Sequence, residues 1–172
     1  MENKYYYNPK IFDTNTMDEA KKIILTKEDN LDTDARWDKE TNFLVESIGT
    51  FFDLNENMTI IDYGCGIGRV SKGLIEKFNC KIVGVDISDS MRKKAIEYVN
   101  SSNFKVISPE QLKELLTSNF KADAAISIWV LQHSIAPKDD ILLLKKVLKQ
   151  DGLFYVLNNK VSAVPTNKGW IN

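Results

Sequence analysis

Two cysteines and one histidine are all the soft metal ligands that this chain of 172 residues carries. Cys65 and Cys80 do not form a C-x-x-C pair, and together with His133 they are too few for a Cys/His zinc site. Charge of one sign is missing as well: 23 basic side chains against 24 acidic ones leave a formal net charge of −1. A protein that binds nucleic acid by neutralising phosphates shows a basic excess, at least locally, so no nucleic-acid partner is expected. The longest apolar stretch, 124–131, already contains Ser127 and falls far short of the roughly 20 residues needed to cross a bilayer. The opening MENKYYYNPK has no hydrophobic signal core, so a cleaved secretion signal is not expected. What these absences leave is a cytoplasmic domain with no structural metal and no membrane anchor.

The apolar fraction, 43%, is enough for a real core in a chain of this length, which suits one domain. From about residue 58 short apolar runs, at 58–63, 81–86, 104–107, 123–130 and 152–157, alternate with helical patterns. Val70, Leu74 and Phe78 repeat at four-residue spacing, as do Met91, Ala95 and Val99. Such alternation predicts βαβ units and a parallel sheet covered on both faces. Ser108-Pro109-Glu110-Gln111 reads as a helix N-cap, a proline in the first turn and a capping-box glutamine. Asp151-Gly152 is expected to end a helix over 138–149 and turn the chain into the last strand.

Residues 1–57 read differently. Asp34 is placed to cap a helix whose apolar face is Trp37, Leu44, Ile48 and Phe51, and Ile23, Ile24 and Leu25 suggest a short helical piece before it. The expected division is an N-terminal segment, 1–34, ahead of a ligand-binding domain, 35–172. Tyr5, Tyr6 and Tyr7 have no periodic support and read as packing of a loose terminus.

The segment that carries chemistry is Ile60-Ile61-Asp62-Tyr63-Gly64-Cys65-Gly66-Ile67-Gly68-Arg69. A hydrophobic strand ends in an acid, glycine then recurs at every second position, and a helix begins. Glycines allow a sharp turn and let a ligand lie against bare backbone, and the helix start offers unpaired N–H groups. In an open α/β sheet ligands bind in the crevice at the carboxyl ends of the strands. The dinucleotide fingerprint G-x-G-x-x-G, begun at Gly64, would need glycine where Arg69 stands. The pattern present is D-x-G-x-G-x-G.

In this pattern the chain resembles the class I S-adenosylmethionine-dependent methyltransferases. The resemblance continues through Ile82-Val83-Gly84-Val85-Asp86-Ile87-Ser88, through 123–133 with its Val130-Leu131-Gln132-His133 ending, and through the helix, turn and strand of 144–154, covering about 35–160. It implies an α/β fold, a Rossmann-like open parallel sheet with helices on both faces, apparently lacking the family's final two strands. It implies S-adenosylmethionine as cofactor, held by Asp62, Gly64, Cys65, Gly66, Gly68, Asp86, Ile87, Met91, Ile128 and Arg36, with Asp86 on the ribose hydroxyls and Ile87 against the adenine. It implies methyl transfer by direct displacement to a small-molecule acceptor, with no metal required.

Several residues keep a second reading. Asp62 contacts the cofactor or caps the loop amides. Arg36 reaches the cofactor carboxylate, or is a solvated arginine beside a core tryptophan. Trp129 is core or pocket wall, and Cys65 is a small buried filler rather than a nucleophile. His133 borders the crevice and is the natural candidate for a catalytic base, or bonds a loop carbonyl. A strand at 153–157 left as a sheet edge invites self-association. The rivals to the methyltransferase reading are a non-catalytic module on the same fold and a nicotinamide-dependent oxidoreductase.

Overall fold

The computed structural model describes residues 5–25 and 32–171; positions 1–4 and 26–31 of the expected N-terminal segment lie outside the described residues. Five parallel strands, β1 (Thr59–Tyr63), β2 (Lys81–Val85), β3 (Phe104–Ile107), β4 (Ala122–Ile128) and β5 (Leu148–Leu157), form one sheet in the order β3-β2-β1-β4-β5. The strand order reverses at β1 and β4, so the crevice opens over their carboxyl ends.

Alternation along β1 divides the core. Ile60 faces helices α2 (Thr33–Phe52), α3 (Arg69–Phe78) and α4 (Asp89–Val99), packing among Leu44, Ile48, Leu74 and Ala95. Ile61 faces the opposite way, against Leu112 of α5 (Pro109–Leu115) and Leu144 and Val147 of α6 (Pro137–Val147). Because period-2 alternation sends neighbouring residues to opposite faces, a strand covered on both is apolar throughout. A third cluster joins Ala20 of α1 (Met17–Ile24) and Leu25 to Trp37, Ile67 and Met91, laying the N-terminal segment beside the glycine loop.

Three boundaries differ from the sequence expectation. The cap of α2 is Asp32, whose side chain accepts from Ala35 N at 2.8 Å, and the buried face ends on Phe52, leaving Phe51 half exposed against Tyr155. Helix α6 stops at Val147, and the chain enters β5 at once; Asp151-Gly152 lies inside that strand, where the register with β4 shifts between Ala122 and Ala124. Pairing with β4 overrides the turn signal of Asp-Gly. The tail forms an antiparallel hairpin, β6 (Val164–Thr166) and β7 (Gly169–Ile171), separate from the main sheet. Tyr7 bridges to Thr166, so the tyrosine-rich start is tied to the tail. The cap and capping box of Ser108 are present as read.

Candidate functional site

The turn after β1 is built by backbone bonds to the neighbouring strand: Gly64 N and Cys65 N both donate to Val85 O, at 2.7 and 3.0 Å. Gly64 stands at φ +78, and a Cβ there would fall 2.2 Å from the Val130 side chain. Gly68, at the start of α3, is kept bare by Val99 of α4 instead. Of the residues named from sequence, Gly68 alone does not line the crevice; Asp62, Gly64, Cys65, Gly66, Asp86, Ile87, Met91, Ile128, Arg36 and His133 do, around a cavity of about 1230 Å³.

Asp86 binds the loop together. Its two carboxylate oxygens accept from Gly66 N at 2.8 Å and from Ser88 N at 2.9 Å. Each oxygen keeps a further acceptor site. Burial raises its pKa above the ordinary value, although both N–H donors pull the other way. Ser88 in turn caps α4.

Asp62 is buried and accepts from Ser71 Oγ at 2.6 Å. Burial lifts its pKa to about 6, opposed by the Ser71 bond and the Arg69 charge and reinforced by the Asp86 charge. A carboxyl whose folded pKa exceeds its unfolded one favours the fold below the unfolded value and loses that contribution as pH rises through the folded one. The window here runs from 3.8 to about 6. Asp62→Asn, which keeps an acceptor for Ser71, should therefore raise stability by about 1–3 kcal/mol near pH 7.5 and by almost nothing near pH 4. Urea titrations at the two pH values check this, and an equal change at both would contradict it.

The remaining charges sit on the α2 side. Arg69 is buried, its guanidinium 5.3 Å from the Trp37 ring centre and 5.6 Å from that of Trp129. Its Nη1 donates to Thr41 Oγ1 at 3.2 Å. Burial lowers its pKa to about 10, with Glu40 and Asp62 opposing. Arg36 Nε donates to Glu40 Oε1 at 2.6 Å. Two buried atoms of this group, Arg69 Nε and Glu40 Oε2, have no partner among the described residues, although leaving such atoms unpaired costs about 1–3 kcal/mol each. One is a donor and the other an acceptor, and their residues line the same cavity. Trp129 adds strain: it takes φ +56 at the end of β4, with its N–H on Leu157 O at 2.6 Å. Strained residues of this kind cluster at ligand clamps and active sites.

Cys65 is buried, and burial pushes its thiol well above the usual range, the state of a filler rather than a nucleophile. His133 also lines the cavity, with Nδ1 2.7 Å from Ala163 O and Nε2 3.1 Å from Gln132 Nε2. Glu40 and Gln132 were not singled out from sequence. Only Glu40 left a readable trace there, one helical turn after Arg36. Arg69 entered merely as a missing glycine.

Residues 54–168 match a family profile described as a methyltransferase domain. A ubiquinone biosynthesis O-methyltransferase of Rickettsia bellii is 26% identical over 113 residues, 65% of this chain and 46% of that protein. A carboxy-S-adenosyl-L-methionine synthase of Staphylococcus epidermidis is 35% identical over 96 residues, 55% of this chain and 40% of that protein. The chain thus spans less than half the length of these two relatives. Among solved structures, a methyltransferase of Thiobacillus denitrificans in complex with S-adenosyl-L-homocysteine shares the fold at TM-score 0.54 and 15% identity, over 84% of this chain and 55% of that one. A coclaurine N-methyltransferase bound to N-methylheliamine and S-adenosylhomocysteine does so at 0.58 and 18%, over 76% and 38%.

Proposed function

This chain belongs to the class I S-adenosylmethionine-dependent methyltransferases, and from that membership we propose that its crevice binds S-adenosylmethionine and directs the methyl group onto a small-molecule acceptor. The observation that carries the reading is that one cavity is lined both by a glycine turn pinned by Asp86 and by Arg69 and Glu40, which hold two buried atoms of opposite character without a partner among the described residues. The residues fit the cofactor. The free acceptor sites of Asp86 suit the vicinal ribose hydroxyls. Ile87, half exposed beside it, offers an apolar wall for a base. Arg69 Nε suits a carboxylate and Glu40 Oε2 an ammonium, the two charges of an amino-acid end. Arg36, bonded to Glu40, holds that carboxylate in place.

When bound, S-adenosylmethionine would supply a sulfonium methyl for the acceptor's lone pair to take, the electron pair of the broken S–CH₃ bond staying on sulfur as a neutral thioether. The protein's part is orientation and exclusion of water. Holding the two reactants in near-attack geometry is worth about 7–11 kcal/mol. A small-molecule acceptor is supported by the cavity, which exceeds the roughly 300–1,000 Å³ of ordinary ligand pockets and so leaves room beyond the cofactor. It is supported too by the relatives' names, a ubiquinone biosynthesis enzyme and a sterol 24-C-methyltransferase of Candida albicans. No helix among the described residues is long and apolar enough to cross a membrane. Association of two copies through β5, an edge strand with Leu153 and Val156 partly exposed, belongs to the same proposal.

The test is incubation with methyl-labelled S-adenosylmethionine and a panel of phenols, amines and carboxylates. Label should pass to at least one acceptor, with one S-adenosylhomocysteine formed per methyl. Tight cofactor binding with no transfer to any member would favour a non-catalytic module instead.

A further inference from the structure

We propose that His133 is a positioning residue: its ring pins the chain that follows β5 across the crevice, so that Trp170 and Phe12 close the acceptor end. The part of this that concerns an acceptor rests on the methyltransferase reading; the pinning does not.

The hydrogen bonds around the ring fix its form. Ala163 O only accepts, so Nδ1, 2.7 Å away, carries the proton and donates to it. The side chain of Gln132 is oriented from its other end, because its Oε1 accepts from Asn159 N at 2.6 Å. Its Nε2 therefore faces His133 and donates to the imidazole Nε2 at 3.1 Å. Turning the Gln132 amide over would set its NH₂ against Asn159 N–H. Both ring nitrogens are spent, whereas a general base needs a nitrogen lone pair facing the acceptor.

What His133 and Gln132 hold is a strap. Gln132 O also accepts from Ala163 N at 2.8 Å. Residues 158–163 are thus fastened at Asn159 and twice at Ala163, and the chain continues into the β6–β7 hairpin. The hairpin is joined to the N-terminal segment through Asn8 N to Pro165 O and Asn167 N to Tyr6 O, each 3.0 Å. Where the two segments meet, three rings converge: His133 lies 5.4 Å from Trp170 and 6.0 Å from Phe12, and Phe12 lies 6.3 Å from Trp170. All three line the cavity. Trp170 is half exposed and belongs to a three-residue strand, so its place depends on the strap.

The test compares His133→Asn with His133→Ala, adding Gln132→Met, which removes the amide and leaves the imidazole. Asparagine offers Nδ2–H to Ala163 O in place of Nδ1–H; alanine offers nothing. Trypsin under native conditions reads the strap through cleavage after the exposed Lys160. His133→Asn should be cut within about threefold of the wild-type rate, and the alanine and Gln132→Met variants at least about tenfold faster. Affinity for S-adenosylhomocysteine should stay within about threefold in all three, because Asp86 and Arg69 are untouched. With an acceptor in hand, alanine should raise its KM more than it lowers kcat, and asparagine should restore both. Unchanged cleavage in both His133→Ala and Gln132→Met would overturn the proposal. So would a loss of about 10²–10⁴ in kcat shared by the asparagine and alanine variants, the mark of a general base. Failure of the wild-type chain to bind S-adenosylhomocysteine while the cleavage pattern holds would reject the methyltransferase reading and leave the pinning intact.

Discussion

Asp86→Asn should weaken S-adenosylhomocysteine binding about 10- to 100-fold and lower stability by about 1–3 kcal/mol. Both effects have one cause. The carboxylate accepts from Gly66 N and Ser88 N with separate oxygens, and an amide has only one acceptor atom. Whichever way the asparagine turns, one buried N–H loses its partner and meets a donor. The glycine turn would then loosen from the start of α4, and in the proposed complex the ribose hydroxyls would lose a charged acceptor, worth about 1.5–3 kcal/mol when intact. A control separates binding from folding. Ser88→Ala removes the α4 cap bond to Met91 N and should cost about 1 kcal/mol of stability, yet it leaves both bonds to Asp86 in place and should change affinity less than threefold. Calorimetric titration below each variant's melting point reads both. Equal affinity losses in the two variants would mean that Asp86 acts only as scaffold.

Gly64→Ala should be among the most damaging single-methyl changes in the chain, at about 2–5 kcal/mol. Two terms add. An L residue in the left-handed region costs about 1–2 kcal/mol, and Gly64 stands at φ +78. The new methyl would also lie 2.2–2.8 Å from three side-chain atoms of Val130, and forcing a side chain into filled space costs about 1–3 kcal/mol. The neighbour cannot yield freely, since Val130 opens the turn that carries Gln132 and His133. The terms separate in a double-mutant cycle. Val130→Ala removes two of the three clashing atoms, so the pair should recover part of the packing term and none of the backbone term. Denaturant midpoints at constant slope give the energies. A Gly64→Ala change within 0.5 kcal/mol of zero would contradict the conformation assigned to the turn.

The sheet and its ligand-binding end were legible in the sequence because their signals are local. Apolar runs at regular spacing, the Ser108 capping box and the alternate glycines each act within a few residues, and β3 at Phe104–Ile107 falls where the apolar run placed it. What was not legible depends on distant partners. Lys149-Gln150-Asp151-Gly152 reads as a polar helix end and a turn, but Lys149 pairs with Asp123 of β4 and the segment joins β5. The strands of the tail hairpin are three residues long, too short to show a period, and the tail's hydrogen bonds run to Tyr6 and Asn8 at the other end of the chain. The buried arginine is the clearest case. Nothing near Arg69 in sequence announces a cation between two tryptophan rings, because those rings come from positions 37 and 129. Likewise the sequence left His133 between a catalytic base and a residue bonded to a loop carbonyl, and the carbonyl of Ala163 and the amide of Gln132 emerge as its partners only once the strap is placed.

The most direct measurement of the central claim is the melting midpoint of the wild-type chain with and without S-adenosylhomocysteine. A ligand that binds only the folded state at 100 times its dissociation constant stabilises it by about 2.7 kcal/mol, which for a chain of this size is a rise of about 5–11 °C at roughly 2–4 °C per kcal/mol. The expected result is that rise with S-adenosylhomocysteine and with S-adenosylmethionine, and none with NADH. A folded sample whose midpoint stays unmoved by both adenosyl compounds at millimolar concentration, or moves only with NADH, would contradict it.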